Sequence, residues 1–353
     1  MSRVLVTGAA GFIGSRVCAI LAGRGHEVIG VDAMLPSAHL ADTPPPDGVS
    51  SVDINDPAGI DAALAGVDVV SHQAALVGLG VGFSDAPEFA RHNDSGTATL
   101  LAAMARKEIA RLVIASSMVV YGNGSHVTSD GLGVTEVSPR NRDDLAAGVF
   151  DHRGPHGQDT RWTLTPEDAP LRPQNHYAAS KAAQEHYARA WANCTGGSAV
   201  ALRYHNVYGP NMPRDTPYAG VASIFRSALA GGRPPRVFED GRQMRDFVHV
   251  DDVASANVMA IESLLEGPGA MFCPLNIASG HPISIGEVAT ILSDELSGPV
   301  PVITGEFRAG DVRHVVADPA RAADVLGFRA RIDPQSGLRA FAKEPLRETA
   351  GAR

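Results

Sequence analysis

Cysteine is nearly missing from this chain of 353 residues: Cys18, Cys194 and Cys273 are widely spaced and odd in number, which excludes a disulfide framework or a clustered metal site. Basic charge is also short. Thirty Lys and Arg against 39 Asp and Glu leave a formal net charge of -9, and a nucleic-acid partner would demand a basic surface. A small phosphorylated ligand stays open, since a pocket can be locally positive on an acidic protein. No apolar run reaches the roughly 18 residues of a membrane span, and a strand-like run begins directly after Met1-Ser2, so neither a span nor a secretory signal is expected. Lysine is scarcer still. Lys107, Lys181 and Lys343 are the full set, which makes the place of each informative. What is left is a reduced, cytoplasmic, enzyme-sized chain whose 44% apolar and 20% charged content is ordinary for a globular protein.

The order of elements is more telling. Arg3 to Thr7 (RVLVT) reads as a strand, followed by a glycine loop, an apolar-periodic helix from Phe12 to Leu21 and a second strand, Val28 to Asp32. This is one βαβ unit with parallel strands and a right-handed crossover. Further buried strands are read at Val67 to Ser71, Leu112 to Ser116 and Val200 to Tyr204, with helices at Thr97 to Lys107 and about Ala178 to Ala192. The expected fold is α/β: a Rossmann-type doubly wound parallel sheet with a smaller mixed α/β substrate domain. Residues 1–210 with 243–263 are assigned to the dinucleotide-binding domain. Residues 211–242 with 264–345 go to the substrate domain, and 346–353 to a frayed tail. Residues 122–173 break the rhythm and read as a long functional or disordered insertion.

Gly8, Gly11 and Gly14 (TGAAGFIG) follow the first strand and open the first helix. Glycines there let the backbone approach a pyrophosphate, while the helix start, at Phe12 and Ile13, offers N–H groups and the positive end of its dipole. Asp32 ends the second strand 18 positions past Gly14, near the spacing of about 20 at which an acidic residue meets the adenosine ribose. A carboxylate there repels a 2′-phosphate, so the cofactor is read as NAD rather than NADP. Tyr177 and Lys181 (YAASK) lie four apart, one helical turn from each other. An ammonium beside a phenol, with a cationic nicotinamide nearby, is expected to lower the phenol's pKa and make it a usable base. Ser117, at the carboxyl end of a strand, is placed to bridge substrate oxygen and Tyr177, and Ser116 is read as structural. His152 and His156, four apart in the insertion, are read as polar loop residues with no metal site.

Together these residues resemble the extended short-chain dehydrogenases/reductases of the NAD-dependent nucleotide-sugar epimerase/dehydratase group. Its glycine spacing, G-x-x-G-x-x-G, is the short-chain variant. Further segments are similar: Asp53-Ile54, the HQAA stretch with Ala74 and Ala75, Asn93 with Gly96-Thr97, YHNVYGP with Tyr204 and Asn206, RDFVHVDD with Arg245, and RAGD with Arg308. The resemblance implies that Asp53, Ile54, Ala74, Ala75, Asn93 and Tyr204 join the glycine loop, Asp32, Tyr177 and Lys181 around NAD. It also implies that Asn206, Arg245 and Arg308 bind the diphosphate of a nucleotide-diphosphate sugar, a role that suits guanidinium geometry. Dehydratases and decarboxylases of the group carry acidic residues just after the serine. Met118 and Val119 stand there and cannot exchange a proton, so both activities are excluded. The expected activity is an NAD-dependent nucleotide-sugar 4-epimerase working through a transient 4-keto (deoxy)hexose. An NAD(P)H-dependent 4-keto-6-deoxyhexose reductase is the alternative, and a non-catalytic NAD sensor is disfavoured by the intact Tyr177-Lys181 pair. The group's habit of pairing through the tyrosine helix implies a homodimer, with Ala178, Ala179, Ala182 and Ala183 as small packing surfaces.

Overall fold

A computed structural model describes residues 1–348 apart from 37, 41–42, 79–81, 129–130, 135, 215–219, 268–270 and 309–310. Seven strands form the main sheet: β1 (Arg3–Thr7), β2 (Glu27–Asp32), β3 (Val49–Ser51), β4 (Val69–His72), β5 (Arg111–Ser117), β9 (Ser198–Tyr204) and β13 (Phe272–Ile277). Their order is β3-β2-β1-β4-β5-β9-β13, and every pairing is parallel. This is the doubly wound arrangement read from the sequence. The direction in which the chain winds across the sheet reverses between β1 and β4, and the crevice beyond their carboxyl ends is where such folds take ligands.

Both faces of the sheet are covered, so its strands are apolar throughout rather than alternating. Val4 and Val6 enter one buried cluster with the helices Phe12–Gly23 and Val250–Glu266. Leu5, between them, enters the other, with the helices Gly96–Arg106 and His176–Thr195. Each such fully buried aliphatic side chain stabilises the fold by about 1.5–3 kcal/mol.

Among the described residues there are three smaller sheets. β10 (Asn206–Tyr208), β12 (Met244–His249) and β14 (Pro282–Ser284) form one, and β11 (Arg236–Val237) pairs with β15 (Val302–Ile303). A third apolar cluster, with Tyr208, Phe225, Phe247 and Phe341, lies beneath them. The described part of the insertion is ordered, which favours the functional over the disordered reading. β6 (Ser125–Thr128), β7 (Gly133–Val134) and β8 (Thr160–Thr163) make an antiparallel sheet, and Thr165 N donates to Val316 O at 2.8 Å.

Two assignments need correcting. Phe272–Ile277, expected in the smaller domain, hydrogen-bonds β9 as the seventh strand of the main sheet. Residues 346–348, expected in a frayed tail, are pinned: Arg347 N donates to Met212 O, Arg214 N to Arg347 O, and the Arg347 guanidinium to Ala10 O at 2.9 Å. No described helix is long and apolar enough to cross a membrane.

Candidate active site

The first turn after β1 is built by glycine. Gly8 adopts φ +68°, and a Cβ on it would lie 2.7 Å from Ala74 N. A Cβ on Gly14 would come within 2.1 Å of Gly8 O. Neither position tolerates a side chain without moving the backbone. The helix Phe12–Gly23 then starts at Gly11 without a side-chain cap, so the N–H groups of its first turn, Phe12 and Ile13 among them, remain available to an anion. Asp32 completes this edge. Burial alone would raise its carboxyl, but bonds from His39, Met34 N and Ala10 N hold it below the usual carboxylate range. A fixed carboxylate beside an uncapped turn of glycine and alanine fits the ribose and pyrophosphate of a dinucleotide.

Ser117 ends β5, and its hydroxyl accepts from Val119 N as the chain turns into Met118–Tyr121. It also lies near enough to Tyr177 to oppose the rise in that phenol's pKa. Tyr177 and Lys181 lie on the helix His176–Thr195, whose start is capped by Asn175: Ala178 N donates to its Oδ1 at 2.8 Å. The structure therefore brings Ser117, Tyr177 and Lys181 to one place. Their acid–base state differs from the expectation. Burial pushes the Tyr177 phenol up to about 12, with Ser117 opposing. Burial pulls the Lys181 amine down to about 7, with Glu185 opposing, and Lys181 Nζ donates to Ala115 O at 2.9 Å. Without bound ligand the phenol is thus made a weaker acid, because desolvation outweighs its neighbours.

Behind this trio lies a buried polar network. Ser116 Oγ donates to Glu185 Oε1 at 2.5 Å, so this serine is structural as read. Arg203 grips Glu185 through both carboxylate oxygens, at 2.9 and 2.7 Å, and donates to Tyr121 Oη. His72 bridges Thr7 and Thr97.

Several residues implied as cofactor contacts also bond within the protein. Asn93 is fully buried, with its amide bonded to Leu76 N, Leu76 O and Ser180 Oγ; it clamps the loop after β4 to the tyrosine helix. Tyr204 is buried with its hydroxyl bonded to Gln73 and Asn257. Ile54 packs into the core against Gly96. Asp53 stays half-buried and accepts from Asn55 N. Ala74 faces Gly8 across the turn, with Ala75 half-buried beside it.

The second half of the crevice is rich in arginine. Arg245 is half-buried, its pKa lowered by desolvation to about 10, and it donates to the carbonyls of Met244, Val312 and Arg313. Arg308, exposed, stacks 5.0 Å over the Phe238 ring. Both act on Asp311. Asn206 pairs with Phe247, two residues along from Arg245, and its Oδ1 is buried without a partner among the described residues, an acceptor suited to a ligand donor. Three members, Arg140, Glu239 and Arg313, had no local signal in the sequence. Arg140 comes from the insertion and bonds Glu239 at 2.6 Å and Asp311 O at 2.5 Å. Arg313 joins Glu239 to Asp240 and Asp151. His152 and His156 are not paired: the first is buried on Ser138 O at 3.0 Å, the second exposed.

Against known proteins, residues 4–142 and 154–277 match the NAD dependent epimerase/dehydratase family. The dTDP-L-rhamnose 4-epimerase of Burkholderia thailandensis is 32% identical over 348 residues, covering 95% of this chain and 93% of that protein. Among solved structures, MoeE5 in complex with UDP-glucuronic acid and NAD superposes with a TM-score of 0.76 at 30% identity, covering 97% and 98% of the two chains. The UDP-glucose 4-epimerase of Thermus thermophilus in complex with NAD gives 0.75 at 29% identity, covering 96% and 97%.

Proposed function

The chain belongs to the NAD dependent epimerase/dehydratase family, and from that premise we propose that it is a 4-epimerase of a nucleotide-diphosphate (deoxy)hexose that keeps its NAD through turnover. One observation carries the choice within the family. The residues directly after Ser117 are Met118 and Val119, so no carboxyl stands there to protonate a leaving hydroxyl or to assist decarboxylation. Proton handling is left to Ser117, Tyr177 and Lys181.

NAD, which the glycine turn and Asp32 would hold, would supply reversible hydride transfer at sugar C4. The chain's own residues do the rest. Tyr177 takes the proton of the sugar 4-hydroxyl, with Ser117 holding the oxygen between them. Lys181, one turn along the helix, stabilises the phenolate once a second positive charge stands near it. Asn206, Arg245 and Arg308 hold the diphosphate, so the 4-keto sugar can turn about that anchor and present its other face. Asp32 favours NAD over NADP by repelling a 2′-phosphate.

The reading is tested on protein purified without added nucleotide. Bound NAD, with epimerisation of a dTDP- or UDP-hexose at C4 and no external reductant, is the expected result, and Tyr177→Phe should lower kcat by about 10²- to 10⁴-fold. Stoichiometric NADH or NADPH consumption with a 4-keto sugar would instead identify a reductase. The assembly is proposed to be a homodimer through the tyrosine helix. Ala178 and Ala182 are buried within the protomer, which leaves Ala179 and Ala183 on the outer face beside Tyr187. Sedimentation equilibrium should give twice the 36.8 kDa chain mass.

A further inference from the structure

The insertion runs along residues 311–318, the strap that follows Arg308, and grips it along its length. Thr165 N donates to Val316 O and Asp318 N to Thr165 O. Asp151 accepts from Arg313 Nε at 2.7 Å and lies 3.1 Å from His314 Nε2. At the start of the strap, three successive carbonyls are taken by guanidiniums. Arg140 Nη2 donates to Asp311 O at 2.5 Å, while Arg245 donates to Val312 O at 2.5 Å and to Arg313 O at 2.9 Å. Arg245 is one of the residues proposed to hold the diphosphate, and its fork is aimed by a stretch of backbone that Arg140 pins.

The same guanidinium reaches the second anchor. Arg140 Nη1 donates to Glu239 Oε1 at 2.6 Å, and Arg313 Nη1 donates to the other carboxylate oxygen at 2.9 Å. Glu239 is 3% exposed, and a carboxylate so buried persists only when paired. Its backbone adopts φ +53°, a conformation that a residue with a side chain keeps where its surroundings impose it. Phe238, the residue before it, presents the ring over which Arg308 stacks at 5.0 Å. Arg140 is thereby tied to both arginines proposed for the diphosphate: to Arg245 through the strap, and to Arg308 through the Phe238–Glu239 turn. Among the described residues none of the bonds made by Arg245 goes to a carboxylate, so its fork stays available to an anion.

We infer that the insertion is part of the nucleotide-sugar site, with Arg140 as a positioning residue that aims Arg245 and Arg308 at the diphosphate. The inference rests on the substrate reading above and adds to it the element that gives those two arginines their direction. Arg140 acts through its partners, since its bonds to Phe150 O, Glu239 and Asp311 O all run within the protein. A lysine is a poor substitute there, because an ammonium lacks the planar fork that spans partners on two sides.

The full chain as purified is titrated calorimetrically with dTDP and, separately, with UDP. The Kd of the tighter nucleotide is expected to rise at least about fivefold in Arg140→Ala and in Arg140→Lys. KM for the matching nucleotide-hexose should rise by a larger factor than kcat falls, and the NAD carried through purification should stay constant. Arg140→Lys keeps a cation beside Glu239, so it decides the matter if Arg140→Ala melts early. A smaller rise in Arg140→Lys, or a rise matched by a proportionate loss of NAD, overturns the inference while the substrate reading stands. Failure of both nucleotides to bind the unmodified protein overturns the two together.

Discussion

Tyr177 and Lys181 have their acid–base characters pulled in opposite directions by the same cause. Burial disfavours charge on either group, raising the phenol to about 12 and lowering the amine to about 7. The four-residue spacing was enough to place the pair, but not its resting state, because spacing carries no information about desolvation. A stability consequence follows for the cofactor-free protein. The folded value of Lys181, about 7, lies below its ordinary 10.5, so between those pH values the unfolded chain binds more protons and stability rises with pH. At lower pH the folded chain bears the whole cost of a buried ammonium. Lys181→Met should therefore show its largest gain in Tm below pH about 7, shrinking towards pH about 10. Melting curves of both proteins across that range check it, and a gap independent of pH would contradict it.

At the scale of elements, the catalytic helix depends on its first turn. Asn175 caps it two residues before Tyr177, so Asn175→Ala should cost about 1 kcal/mol of stability and lower kcat more than it changes KM, because the phenol loses its fixed approach to Ser117. Thermal unfolding and steady-state kinetics would read the two effects; loss of stability with kcat intact would show that the helix holds its aim without the cap. Elements of this kind were legible in the sequence where the signal is local. The glycine turn, Asp32 and Tyr177-Lys181 each lie within a single βα unit or helix, and their strands are continuous apolar runs. Phe272–Ile277 was missed because Pro274 interrupts it, and proline argues against an inner strand; in the fold β13 is an edge, where proline is tolerated. The insertion was missed because its strands are short and have no apolar face long enough to show a period. Arg140, Glu239 and Arg313 could not be read as a group, since only the folded chain brings residues 140, 239 and 313 together. Asn93 and Tyr204 stand at family positions and also make internal bonds, which only the folded partners reveal.

The molecule as a whole is closed by a seam between its two ends. Arg347 is bonded to Met212, Arg214 and Ala10, the last across 337 positions of chain, and Ala10 belongs to the turn proposed to hold NAD. A chain ending at Glu344 should keep its main sheet, whose strands all lie upstream, yet retain less NAD on gel filtration. Ultraviolet absorbance of the protein peak measures the nucleotide carried through, and undiminished retention would show that the turn needs no support from the tail.

The seam also orders events during biosynthesis. The residue that grips the glycine turn's backbone lies 337 positions downstream of it. A nascent chain can fold this βαβ unit early, but the turn receives that partner only once residue 347 has been made, so firm capture of the dinucleotide waits on a distant stretch of polypeptide.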